Sequence, residues 1–185
     1  LVAKALNTNN FIELRMLYKE SSLNLLIISG LFFLLINLNI IPFYELMDNP
    51  SYGTAVWVVL MISLSKLILM RFGCGPAILA TSKFYKITLP FSIGMALTVY
   101  FLNDYLIDLM GINGAALSTL IVVALFTFLK IIYIKSKLNL SPYSFNSVKT
   151  LLIIGSLFLI FENISFPFKG ISLIIINSLI IGLVY

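Results

Sequence analysis

The sequence predicts an all-α integral membrane protein with six transmembrane helices. Three observations carry that prediction. First, 61% of the 185 residues are hydrophobic and 10% are charged, against about 45–50% apolar and about 25% charged in soluble domains. A soluble core of this size could not hide so much apolar surface, so lipid is the solvent for much of it. Second, apolar runs close to spanning length recur along the chain. Third, the basic residues collect in alternate stretches between those runs and most acidic ones in the others.

Taken in order, residues 1–21 mix Leu6, Phe11, Ile12, Leu14, Met16 and Leu17 with Lys4, Glu13, Arg15, Lys19 and Glu20. This stretch predicts an amphipathic helix on the cytoplasmic surface, with Asn9 or Asn10 capping a start at Phe11. Residues 22–41 form a charge-free run of the length that crosses the hydrocarbon core, about 20 residues. A turn over 42–53 carries Glu45 and Asp48, with Asn49-Pro50 and Gly53 as its signals. Residues 54–70 are the second span, with Trp57 as interfacial anchor. A basic turn, 71–86, leads to the third span, 87–102, where Pro90 sits in the first turn and is tolerated there. Asn103, Asp104, Asp108 and a small-residue turn over 111–116 close a hairpin whose helices can approach closely. The fourth span is 115–129. A basic loop, 130–149, breaks at Ser141-Pro142. Residues 150–161 and 171–185 are the fifth and sixth spans, separated by a turn over 162–169. The domain division is therefore a surface helix (1–21), a four-helix part (22–140) and two C-terminal membrane helices (141–185). The chain opens Leu-Val-Ala-Lys and ends within an apolar run, which reads as an internal or C-terminal piece of a longer protein.

Charge fixes the expected orientation. Stretches 1–21, 71–86 and 130–149 hold ten of the twelve Lys and Arg residues, and Lys169 alone lies in an opposite turn. Loops rich in Lys and Arg stay in the cytoplasm, so the N-terminal end is cytoplasmic in a multi-pass inner-membrane protein. Glu45, Asp48, Asp104, Asp108 and Glu162 fall on the outer side. The net charge of +5 does not indicate nucleic acid, because the basic residues form no stripe.

Chemistry is sparse. With one cysteine and no histidine, an internal disulfide is impossible and a Cys/His zinc site is excluded. Cys74 has no neighbour to activate it and reads as a small residue at a membrane edge. Gly73-Cys74-Gly75-Pro76 lacks the Lys-Ser/Thr of a phosphate loop. Asp104 and Asp108, at i and i+4, read as a solvated pair rather than a catalytic dyad. The chain is not expected to be an enzyme or to carry a cofactor or metal. The remaining twelfth cation, Lys66, lies inside the second span. It either snorkels to the headgroups or faces a wet cavity and meets an anion.

The stretch GCGPAILATSK at 73–83, an apolar span, and LNDYLIDLMGINGAALST at 102–119 resemble the polysaccharide flippases. These are the O-antigen and capsule exporters of the multidrug/oligosaccharidyl-lipid/polysaccharide exporter superfamily. Their pattern is a small-residue Ser/Thr-Lys turn, a helix, Leu-Asn-x-x-Leu-Ile-Pro, a glycine, and Gly-Ala-Ala-x-Ala-Thr. Asp108 replaces the usual proline and Ser118 the usual alanine. The opening AKALNTNNFIELRMLYKESS is similar to the surface helix before the second lobe, so the resemblance covers most of 1–140.

The resemblance implies helices nine to fourteen of a fourteen-helix transporter: the second lobe and the C-terminal extra helices. Such a protein moves polyprenyl-diphosphate-linked oligosaccharide to the outer leaflet by alternating access of two lobes. Its partners would be the lipid-linked oligosaccharide, the bilayer, an N-terminal lobe of the same chain, and a polysaccharide polymerase with other assembly proteins. On chemical grounds Lys66 is then the first choice for diphosphate or sugar contact, Arg71 would help at the cytoplasmic mouth, and Asn37, Asn39 and Asn103 are polar lining. Three alternatives differ in what they need. A drug or cation antiporter of the same superfamily needs an acid inside a span. A polysaccharide polymerase needs a long outer loop. A non-transporting polytopic subunit would tolerate Lys66→Leu.

Overall fold

A computed structural model describes residues 1–47, 53, 55–163 and 170–185. Among them every element is helical: α1 (Val2–Asn7), α2 (Phe11–Glu45), α3 (Val56–Met70), α4 (Gly75–Thr81), α5 (Thr88–Met110), α6 (Ile112–Leu138), α7 (Phe145–Asn163) and α8 (Ile171–Val184), with a short 3₁₀ turn at Tyr85–Ile87. Asp48, Asn49, Pro50, Pro167, Lys169 and the expected span start at 54 lie outside the described residues.

α2 starts where its cap residue places it. Asn10 Oδ1 accepts the Glu13 backbone N–H at 3.1 Å while Asn10 Nδ2 donates to the Glu13 carboxylate at 3.0 Å, a reciprocal cap that satisfies a free N–H of the first turn. The helix then runs 35 residues without interruption. No helix break therefore separates the expected surface stretch from the expected span at residue 22. Charges alone do not stop a helix, and 20–23 contain neither glycine nor proline. At 1.5 Å per residue α2 is about 52 Å long, well beyond a core of about 30 Å, so one end projects.

Ser21 and Ser22 instead anchor an elbow. α3 and α4 meet at a 51° bend around Gly73, whose φ is +58°. Ser22 Oγ donates to the Arg71 carbonyl at 2.6 Å and Ser21 Oγ accepts the Cys74 backbone N–H at 3.0 Å. A Cβ on Gly73 would come 2.7 Å from the Ser22 nitrogen. Both the left-handed backbone and the contact require glycine there.

α5 and α6 form the expected hairpin with shifted bounds. The small-residue turn contracts to Gly111 (φ +59°), because Asp104 and Asp108 continue α5 as exposed helical residues. A Cβ on Gly114 would overlap the Leu106 carbonyl oxygen, so the helix backbones touch directly. Edge-to-face rings tie the other end: Phe84–Tyr133 at 6.1 Å, Phe91–Tyr133 at 6.0 Å and Phe91–Phe126 at 6.4 Å. α6 runs past residue 129 to Leu138, with Lys135 and Lys137 in its last turn, where they complement the helix dipole. It ends at Asn139, in the left-handed conformation.

In the bundle α3 lies between α2 and α6, α5 flanks α6, and α7 and α8 both pack on α2. One apolar cluster joins Leu14 and Tyr18 to Phe72, Ile78 and Ile134 at the elbow end. A second joins Leu26, Phe33 and Leu34 to Leu67, Ile154 and Ile181. Arg15 donates to the Asn139 carbonyl at 3.2 Å and the Arg71 guanidinium lies 4.7 Å from the Tyr143 ring centre. The start of α2, the elbow and the α6–α7 connection therefore share one end of the bundle, which is basic. Glu45, Asp108 and Glu162 mark the opposite helix ends.

Among the described residues, four helices are long and apolar enough to cross a membrane (α2, α5 with its 3₁₀ turn, α6 and α7), and five if the bent α3–α4 pair counts as one span. The six spans expected from the sequence include a short fifth and a sixth cut by the end of the sequence; four or five meet the length among the described residues. α8, at 14 residues, rises about 21 Å, short of the hydrocarbon thickness. The architecture is that of a multi-pass membrane protein.

Candidate functional site

Two hollows flank the α2–α3 pair. The larger, about 700 Å³, is an almost wholly apolar groove between Leu25, Phe32 and Ile36 of α2 and Val59, Ile62 and Lys66 of α3. Lys66 is exposed and its aliphatic stem lines the groove, and no hydrogen bond or ion pair engages it among the described residues. The smaller, about 370 Å³, is a half-open hollow toward the acidic helix ends, between α2, α3, α7 and α8. Asn37, Trp57, Phe158, Glu162 and Asn177 line it.

The five polar residues singled out in the sequence do not converge. Asn37 couples α2 to α3. Its Nδ2 donates to the Phe33 carbonyl and to Ser63 Oγ, both at 2.8 Å. That uses both amide hydrogens and leaves its Oδ1 to the smaller hollow. Asn39 couples α2 to α8 through Nδ2, which donates to the Leu35 carbonyl at 2.8 Å and to Ser178 Oγ at 3.2 Å. Asn103 accepts a hydrogen bond from Ser118 Oγ and ties α5 to α6. Arg71 is spent on the elbow: its guanidinium covers Tyr143, and its Nε is buried without a partner. Lys66 alone of the five borders the apolar groove. Asn39 and Asn103 act as interhelical links, which is how amides inside a bundle usually serve.

The hydroxyl partners Ser63, Ser118 and Ser178, and the hollow's Asn177 and Glu162, were not read as site residues in the sequence. Asn177 had a readable signal, the lone amide of the largely apolar α8. It is 8% exposed and its Oδ1 has no hydrogen-bond partner. No group of His, Cys, Asp and Glu among the described residues could hold a metal ion. Comparison with protein-family models, curated proteins and solved structures finds no match to this chain.

Proposed function

We propose that the chain is part of a membrane transporter that carries polyprenyl-diphosphate-linked oligosaccharide across the cytoplasmic membrane for surface polysaccharide synthesis, by alternating access of two lobes. The observation that carries this reading is Lys66. Its aliphatic stem lines a long apolar groove, and no hydrogen bond or ion pair engages its ammonium group among the described residues. An isoprenoid diphosphate has the same two parts in the same order, a hydrocarbon tail and an anionic head. An ionisable residue at membrane depth is costly unless it meets an anion, water or the interface. Lys66 lies five residues before Arg71, about 7.5 Å along the helix from the basic end of the bundle.

The exposed Ile28, Phe32 and Ile36 in the groove leave it open at the side, as a tail remaining in the bilayer needs. The basic end is the cytoplasmic one in this reading, by the positive-inside rule. The resemblance over 73–119 supplies the substrate class and the N-terminal lobe that would complete the transport path.

The test is Lys66→Ala in the full-length gene, with Lys66→Arg beside it. The expected result is loss of labelled surface polysaccharide and accumulation of lipid-linked oligosaccharide in the alanine variant, at unchanged protein level, with recovery in the arginine variant. Normal polysaccharide in Lys66→Ala would remove the physical basis of the proposal.

A further inference from the structure

The groove between α2 and α3 has a definite place along the membrane normal. Ser22 donates to the Arg71 carbonyl, so these two residues mark one level near the basic end. The groove begins at Leu25 and Met70 and ends at Ile36 and Val58. At about 1.5 Å per residue it starts on α2 roughly 5 Å past the Ser22 level and stops roughly 20 Å past it, within a core of about 30 Å. It therefore comes closer to the basic interface than to the acidic one. Its two hydroxyls are turned back onto their own helices. Ser29 donates to the Leu26 carbonyl at 3.2 Å, and Ser63 donates to the Leu60 carbonyl at 3.0 Å while accepting from Asn37. The serines are smaller than their neighbours on each helix face, which opens the hollow without lending it a polar atom.

A groove of this kind in hydrocarbon needs a filling, because wall atoms without a partner forfeit their dispersion contacts. Water would find no free donor or acceptor there. A third helix, about 10–12 Å across, would bridge a groove between two helices in contact and leave its floor unfilled. A single hydrocarbon chain fits, and Ile28 and Phe32, both more than half exposed, leave it a side entry from the bilayer. By mass action the chain is one of the bulk phospholipid, the most abundant hydrocarbon at that entry. We propose that the α2–α3 groove holds one acyl chain of a phospholipid from the leaflet at the basic end. Its ester lies near Leu25 and Met70, and its methyl end lies toward Ile36 and Val58. The proposal goes beyond the transport reading and does not rest on it, since it uses neither the charge of Lys66 nor a second lobe. Under that reading a substrate tail enters the groove by displacing the resident chain.

The test is photolabelling of full-length protein in nanodiscs of phosphatidylcholine that carries a diazirine on one acyl chain, read by peptide mass spectrometry. The open face of α5, with Leu97 and Phe101 exposed, is the internal reference for ordinary lipid contact. Labelling of the groove is expected to exceed that reference by about threefold or more. A diazirine near the ester should mark Leu25 and Met70, and one at the chain end should mark Ile36 and Val58. Ser29→Phe and Val59→Phe fill the groove from opposite walls and should abolish its labelling with α5 unchanged. Groove labelling no denser than that of α5, or a reversed order of carbons, overturns the proposal in the wild-type protein alone. Labelling that survives in both folded variants also overturns it. So does dense groove labelling by a polyprenyl phosphate probe where the acyl probe gives none, which would assign the groove to an isoprenoid tail. A surface-polysaccharide defect in Lys66→Ala would stand unaffected by any of these failures.

Discussion

Asn37 on α2 donates to Ser63 on α3 at 2.8 Å, and Ser63 in turn donates to the Leu60 carbonyl at 3.0 Å. The link lies between the two hollows: Asn37 borders the smaller one and Ser63 borders the groove. Both hollows owe their shape to the α2–α3 spacing, which this pair helps to set. A double-mutant cycle with Asn37→Leu and Ser63→Ala should return a coupling of about 0.6 kcal/mol, the average for such bonds between membrane helices. Unfolding of purified protein in mixed detergent measures it. Coupling indistinguishable from zero would mean that packing alone fixes the spacing.

Gly114 and Gly155 provide a matched pair. Alanine at Gly114 drives a methyl into the Leu106 carbonyl, whereas nothing lies within 4 Å of a Cβ at Gly155. Gly114→Ala should destabilise by about 1–3 kcal/mol through forced separation of α5 and α6. Gly155→Ala should stabilise α7 by up to about 1 kcal/mol, the usual helix gain. The same unfolding assay checks both. Equal effects would contradict the close helix approach.

Orientation is measurable from one helix. Lys86 and Asp108 are exposed near opposite ends of α5. In a Cys74→Ser background, which removes the sole cysteine, Asp108→Cys should react with a membrane-impermeant maleimide added to intact cells. Lys86→Cys should react only after permeabilisation. The reverse pattern would place the basic end outside and undo the transport direction proposed above.

For Lys66, charge is expected to matter more than length. If the ammonium group meets a diphosphate, Lys66→Leu should slow flipping by about thirtyfold or more, since loss of one member of a desolvated charge pair costs at least about 2 kcal/mol. Lys66→Arg should retain most of the rate. The measurement is the ratio of inner to surface lipid-linked sugar over time. A leucine variant that flips normally would reduce Lys66 to a side chain reaching for the headgroups.

The helices were legible in the sequence because long apolar runs have one low-energy answer in lipid. Their ends were less so. Charged residues were read as loop at Asp104, Asp108 and Lys130 to Lys137, and in each case the helix continues through them. Water solvates a charged helical side chain as well as one in a loop, so charge marks the edge of the membrane rather than the end of the helix. Gly73, Gly111 and Asn139, with left-handed backbones, were the better stops. Of the site, Lys66 was legible as a single charge in an apolar run. Asn103, Asn37 and Asn39 were visible as polar residues, but their roles were not. Which hydroxyl an amide meets depends on helix rotation, and that follows from packing across 26 residues for Asn37–Ser63 and 139 for Asn39–Ser178. Asn177 and Glu162 belong to one hollow only because α7 and α8 both lean on α2.

The contact of Gly114 with Leu106 also bears on how the chain enters the bilayer during synthesis. α5 with its preceding 3₁₀ turn is less apolar than α6 and contributes little to the buried interior. It also carries two aspartates near its far end. Such a segment is a poor client for the translocon by itself. Held backbone to backbone against α6, with a single glycine between them, it can partition as a hairpin whose more apolar arm draws the weaker one in. Biogenesis of this half of the bundle then waits for α6 to leave the ribosome, so ribosomes stalled before residue 138 would hold α5 still exposed to water.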